Sequence, residues 1–261
     1  MRISVLSENT ACDPSFGCEH GLSLYIETKG HHILFDTGQS ELFAENAEKL
    51  GVDLSQVDLA VLSHGHYDHG GGLRRFFEVN DRAKVYLSRD AFEPHYNAAG
   101  KYIGLDTALQ DEDRLIYTAE EYEIAEGIML YSCNEREKVR VIDHAGLSVL
   151  RNGKMLPDDY RHEQYLFISE NEKRILISGC SHKGILNIVT WFHPDVLVGG
   201  FHLMKMPLDD QLTSFARELD VFDTEYYTCH CTGADQYAFM KPYMKKLRYL
   251  SAGQTIEIET E

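Results

Sequence analysis

The run His64-Gly65-His66-Tyr67-Asp68-His69 decides the reading of this chain. It follows Leu59-Ala60-Val61-Leu62-Ser63, an apolar stretch with the character of a buried strand, and precedes Gly70-Gly71-Gly72 and a helical pattern over 73–79. Four groups able to ligate a metal fall within six residues, on a strand-to-helix loop that rigid elements hold from both sides. His64 and His66, two apart, can offer two imidazole nitrogens to one ion. Asp68 and His69 then face a second ion, with glycines letting the backbone turn tightly behind them. Imidazole with carboxylate favours zinc, and also suits iron or manganese. Two divalent ions are therefore expected.

Outward from this loop, short apolar runs bounded by turn residues predict strands at 3–6, 22–26, 32–35 and 85–87, with a helix ending at Leu50-Gly51. Between 89 and 157 the pattern loosens, with brief strand-like stretches at 128–131 and 139–142. Order returns with a strand pair at 164–169 and 174–178, a helix over 185–192, strands at 196–198 and 224–228, a helix over 234–247 and a last strand at 255–258. Strands arriving in two batches, each interleaved with helices, predict a layered α/β fold. No repeat or linker interrupts the chain, so one domain over 1–261 is expected, with 89–157 as a lid or specificity segment.

Composition narrows the function classes. The 261 residues are 43% hydrophobic and 26% charged, enough to bury a sizeable core. Forty-two acidic against 25 basic residues give a formal charge of −17, which argues against nucleic acid and anionic membranes as partners. No apolar run approaches the roughly 18 residues of a membrane span. The first residues read as a strand rather than a secretion signal, so a cytoplasmic location with reduced cysteines is expected.

The motif His64-x-His66-x-Asp68-His69 resembles the signature of the metallo-β-lactamase superfamily, and Leu34-Phe35-Asp36-Thr37-Gly38 resembles its early motif. A narrower resemblance, to the dihydropterin ribofuranosylaminobenzene-phosphate synthase-like subgroup, rests on motifs in matching order. These are Glu19-His20-Gly21-Leu22-Ser23, Gly179-Cys180-Ser181-His182, Gly199-Gly200-Phe201-His202-Leu203 and His230-Cys231-Thr232-Gly233. The resemblance implies a four-layer αβ/βα sandwich with the site at one edge. It assigns His64 and His66 to site one, Asp68 and His69 to site two, and Asp36 to a supporting place behind the ligands.

Each ion needs a further protein ligand. His182 is chosen to complete site one and His230 site two, both just past strands. Many superfamily members carry Gly-Asp where Gly179-Cys180 stands; Cys180 is either a thiolate ligand or a small buried residue beside the site. His202 reads as a proton donor, a substrate contact or an alternative ligand. Glu19 and His20 approach from the first hairpin as substrate contacts or structural hydrogen-bonding groups. Lys101 and Tyr102, on the irregular segment, are further substrate candidates. The histidines at 31, 32, 95, 144, 162 and 193 read as structural, although some relatives take a site-one ligand from the region of His162.

The expected chemistry is hydrolysis of an ester, phosphoester or related small molecule by metal-bound hydroxide, with Asp68 orienting the nucleophile and His202 supplying a proton. The alternatives are a pterin-linked synthase, a di-iron redox protein and a ligand sensor. A histidine at 66, where di-iron relatives carry a carboxylate, argues against the redox reading.

Overall fold

Each central strand of this chain is apolar on both sides, and this dictates the architecture. In the strand His31–Phe35, Ile33 and Phe35 join one buried cluster while Leu34 joins another. In the strand Lys173–Ile177, Ile175 and Ile177 face the first cluster and Leu176 a third. Because side chains alternate across a strand, such runs require cover on both faces.

The computed structural model describes residues 1–142 and 144–260; Asp143, inside the 89–157 segment, and Glu261 lie outside the described residues. In chain order the elements are β1 (Arg2–Ser7), β2 (Ser23–Thr28), β3 (His31–Phe35), α1 (Leu42–Leu50), β4 (Leu59–Val61), α2 (Tyr67–Gly70), α3 (Leu73–Val79), β5 (Lys84–Ser88), β6 (His95–Tyr96) and β7 (Leu115–Thr118). There follow β8 (Glu121–Ala125), β9 (Ile128–Tyr131), β10 (Ser148–Arg151), β11 (Lys154–Pro157), β12 (Tyr165–Glu170), β13 (Lys173–Ile177), α4 (Ile185–Phe192) and β14 (Val196–Gly199). The chain closes with α5 (Asp210–Leu219), β15 (Glu225–Thr228), α6 (Ala234–Met240), β16 (Leu247–Tyr249) and β17 (Thr255–Glu257).

Two seven-stranded sheets form, in the orders β17-β1-β2-β3-β4-β5-β7 and β16-β15-β14-β13-β12-β9-β8. Between them lies the first cluster, with Ile3, Leu24 and Ile33 from one sheet and Leu130, Ile168 and Val198 from the other. Phe43 of α1 and Phe76 of α3 cover the outer face of the first sheet; Ile188 of α4, Leu212 of α5 and Met240 of α6 cover that of the second. The four-layer αβ/βα sandwich is thus complete. Strands β3, β4, β5 and β7 run parallel, as do β13, β14, β15 and β16. A small sheet, β11-β10-β6, stands apart within the 89–157 segment.

Three expectations are corrected. The helix expected over 234–247 stops at Met240, because Pro242 lacks an N–H and starts a single tighter turn; Leu247–Tyr249 then pairs with β15. Residues 139–142 form no strand, and Val141 is 98% exposed. Helix α5 was not anticipated; Asp209 caps it by accepting a hydrogen bond from the Gln211 N–H. Among the described residues no helix is long and apolar enough to cross a membrane.

Asn46 of α1 ties the helix to the first sheet, donating to Leu6 O (2.8 Å) and Gly17 O (2.9 Å) and accepting from Gly17 N (3.1 Å). Asn46→Ala leaves these groups without their partner and should cost roughly 2 kcal/mol, lowering the melting temperature by roughly 4–8 °C in a calorimetric scan.

Candidate metal centre

Loops leaving the C-terminal ends of parallel strands converge at one edge of the sandwich, the usual location of sites in such sheets. Asp36 follows β3, 63–69 follows β4, Cys180 and His182 follow β13, His202 follows β14, and His230 follows β15.

Asp36 is the buried anchor. Its Oδ1 accepts the Ser63 N–H (2.7 Å), and its Oδ2 accepts both the Ser63 hydroxyl (2.7 Å) and the His69 Nδ1–H (2.7 Å). Having donated to Asp36, Ser63 Oγ accepts from His64 Nδ1 at 2.8 Å. The tautomers follow: in the neutral form that binds a metal, both His64 and His69 keep the Nε2 lone pair free. Gly65 lets the loop pass, since a Cβ there would meet Ala91 O at 2.0 Å.

The structure brings His64, His66 and His182, the set expected for site one, close together. Their ring centroids lie 4.6, 4.9 and 5.0 Å apart, close to the roughly 5 Å that imidazoles around one tetrahedral ion adopt. The Nε2 atoms of His64 and His182 stand 3.3 Å apart, and His66 Nε2 is buried without a hydrogen-bond partner. Burial, reinforced by neighbouring histidines, holds the pKa of all three well below the usual imidazole value, so they stay neutral as ligands must. Buried lone pairs facing one another fit a cation.

Site two gathers His69, His230, Asp68 and Cys180. His69 Nε2 lies 3.2 Å from His230 Nε2, 3.2 Å from Cys180 Sγ and 3.9 Å from Asp68 Oδ2. Asn9 Oδ1 accepts the His230 Nδ1–H (2.8 Å), freeing its Nε2, and Glu8 accepts the His230 backbone N–H (2.6 Å). Burial opposes charge on His69, yet Asp36 and Asp68 outweigh it and raise its pKa to about 9. The same field favours a metal ion. These donor sets fit two divalent ions, with Cys180 within reach of the second.

The other expected residues divide. His20 lines the cleft, its Nε2 at 3.2 Å from Asp68 Oδ2. His202 also lines it, ring to ring 4.3 Å from His182; burial opposes its charge, but Cys231 raises its pKa. Glu19 instead pins a loop by accepting from Gln39 N, Ser40 N and Ser40 Oγ. Lys101 is exposed, and Tyr102 donates to Leu105 O (2.7 Å); neither lines the cleft. His162 Nδ1 accepts the Gly65 N–H (2.9 Å), so its neutral ring carries its proton on Nε2, 3.4 Å from Asp158. Its ring lies 3.9 Å from that of His95 and 5.0 Å from that of His66, and these three histidines with Asp158 make a further group of potential metal ligands.

Several contributors escaped the sequence reading: Glu8 and Asn9 behind His230, Ser63 behind His64, and Glu163, which accepts the His182 and Lys183 N–H groups (2.7 and 3.0 Å). Glu8, Asn9 and Ser63 had a signal, as polar residues just past a strand. Cys231 was also passed over. Although burial opposes it, hydrogen bonds with Cys180 and His202 hold the Cys231 thiol well below its usual pKa, while burial pushes Cys180 up. The centre opens into a cleft of about 770 Å³, whose far wall includes Arg140, Lys205 and Phe215.

A four-layer sandwich with paired histidine-rich ligand sets at its edge defines a class of metal-binding proteins. The profile of the Metallo-beta-lactamase superfamily matches residues 16–227, and the chain belongs to that superfamily. It is 33% identical over 244 residues to the uncharacterized protein MJ0448 of Methanocaldococcus jannaschii, covering 88% of this chain and 90% of that one. It is 28% identical to 7,8-dihydropterin-6-methyl-4-(beta-D-ribofuranosyl)-aminobenzene-5'-phosphate synthase of the same organism, covering 98% and 96%. The crystal structure of Tm1679, described as a metal-dependent hydrolase of the beta-lactamase superfamily, superposes with a TM-score of 0.84 at 31% identity over 99% of both chains. The subgroup resemblance seen in the motifs is thereby supported along the whole chain.

Asp36→Asn can no longer accept from both Ser63 and His69 at the same oxygen pair. Second-site metal affinity should fall roughly 10–100-fold in a competitive chelator titration, with little change in secondary structure.

Proposed function

We propose that this protein is a metal-dependent hydrolase of an ester, phosphoester or related small molecule. The observation that carries the reading is the pair of ligand sets, their Nε2 lone pairs fixed by Asp36, Ser63 and Asn9, at the floor of an open cleft. When bound, two divalent ions supply Lewis acidity to the scissile group and lower the pKa of water. The chain's own residues do the rest. Asp68, fixed by His20 and beside His230, is placed to accept a proton from the attacking water. His202, over the cleft, is placed to donate one to the leaving group. Arg140, ion-paired with Glu218, and Lys205 line the same cleft and offer it polar contacts. The 89–157 segment contributes Asn97, Ile103, Arg140 and Leu147 to that wall, which supports its reading as a specificity element of a single domain. Sulfur at Cys180 favours zinc over iron or manganese.

The synthase-named relative supports a second reading, in which the same residues orient pterin precursors for condensation. Metal-loaded protein tested on generic esters and phosphodiesters separates the two. The hydrolase reading expects metal-dependent turnover that falls at least about 100-fold in His66→Ala and Asp68→Ala, with unchanged circular dichroism. Full activity in those variants would sink it, and condensation of pterin precursors without hydrolysis would favour the synthase.

A further inference from the structure

Beside site two, three loops bring Cys180, Cys231 and His202 together with one ligand atom each, all within 4.8 Å of one another. Both sulfurs are buried, at 3% and 2% exposure. Cys231 Sγ donates to Cys180 O (3.4 Å) and accepts the His202 backbone N–H (3.3 Å). His202 Nδ1 is buried and has no hydrogen-bond partner. Two thiolates on one tetrahedral ion stand about 3.8 Å apart, so the cluster needs little adjustment to close on an ion.

The backbone is arranged for this approach. Gly200 leaves space that a Cβ, 2.4 Å from Cys231 Sγ, would fill. Ser181, His202 and His230, each adjoining a residue of the cluster or belonging to it, hold left-handed φ values of 58°, 54° and 50°. Such conformations are unfavourable for residues that carry a Cβ and persist where the surroundings impose them.

We propose that Cys180, Cys231 and His202 form a third cation position, sulfur-rich and separate from the two histidine-based sites, that takes a thiophilic ion such as zinc or copper(I). Two thiolates and one imidazole match the softer end of biological metals and leave one coordination place open toward the cleft, which also provides the entry path. Cys180 Sγ, 3.2 Å from His69 Nε2, adjoins site two as well, so one sulfur serves both positions. Resting on the hydrolase reading, one consequence follows: an ion here engages His202 and withdraws it from proton donation, making the position inhibitory.

The test uses the full chain with the exposed Cys12 and Cys18 replaced by serine, stripped of metal and dialysed against zinc(II) or cobalt(II). The Cys231→Ala and Cys231→Ser variants should each bind one equivalent fewer than their parent. In the cobalt form, their sulfur-to-metal charge-transfer absorption should fall about threefold, as three sulfur–metal bonds become one. Circular dichroism and the two retained equivalents report that the variants are folded. Equal equivalents with an unchanged band would overturn the proposal. A weaker band with equal equivalents would also overturn it, making Cys231 a ligand of the second ion instead. Both readouts are independent of turnover, so an inactive protein leaves this outcome legible.

Discussion

One buried carboxylate organises the centre. Asp36 accepts from Ser63 twice and from His69 once, and through Ser63 it also sets the tautomer of His64. Removing its charge from water is costly, and the cost is offset only because every oxygen finds a donor in a region without solvent. The result is orientation rather than mere attraction: two rings on one loop turn the same nitrogen toward the histidines of the other sheet. The left-handed φ of 59° at Asp36 itself shows how sharply the chain must turn as it leaves β3 to bring that carboxylate beneath the loop.

The fold was legible because its strands announce themselves. Ile33-Leu34-Phe35, Ile175-Leu176-Ile177 and Val196-Leu197-Val198 alternate between two apolar environments, and a strand apolar on both faces has few places to go but the middle of a layered fold. Where the pattern misled, local chemistry had the last word. Pro242 ended a helix that the apolar spacing carried onward, and the valines at 139 and 141 suggested a strand that found no neighbour. The 89–157 segment was read as irregular, yet it contains a small sheet whose β6 and β10 pair across more than fifty residues of sequence, a separation that local patterns cannot report.

The site was legible to a different depth. His64, His66, Asp68 and His69 are contiguous, and the structure brings His182, His230, Cys180 and Asp36 to them. The groups behind these residues were not visible. Asn9 lies 221 positions from His230, and Glu163 reaches the His182 backbone through a loop with no distinguishing motif. Hydrogen bonds that fix a tautomer are made by ordinary residue types at unremarkable positions; only three-dimensional proximity gives them meaning. His162 was read as structural, although some relatives take a ligand from its region; the Gly65 N–H occupies its Nδ1, and the ring sits in one group with His66, His95 and Asp158.

The candidate ligands are drawn from both halves of the sandwich. His64, His66, Asp68 and His69 hang from the first sheet, whereas Cys180, His182 and His230 hang from the second. An ion seated among them is therefore a clasp between two layers that otherwise meet through non-directional apolar contact. Thermodynamic linkage makes its affinity part of the cohesion of that seam, so the seam should open less readily when the clasp is shut. Metal availability would then govern how long the folded protein endures as well as what chemistry it performs.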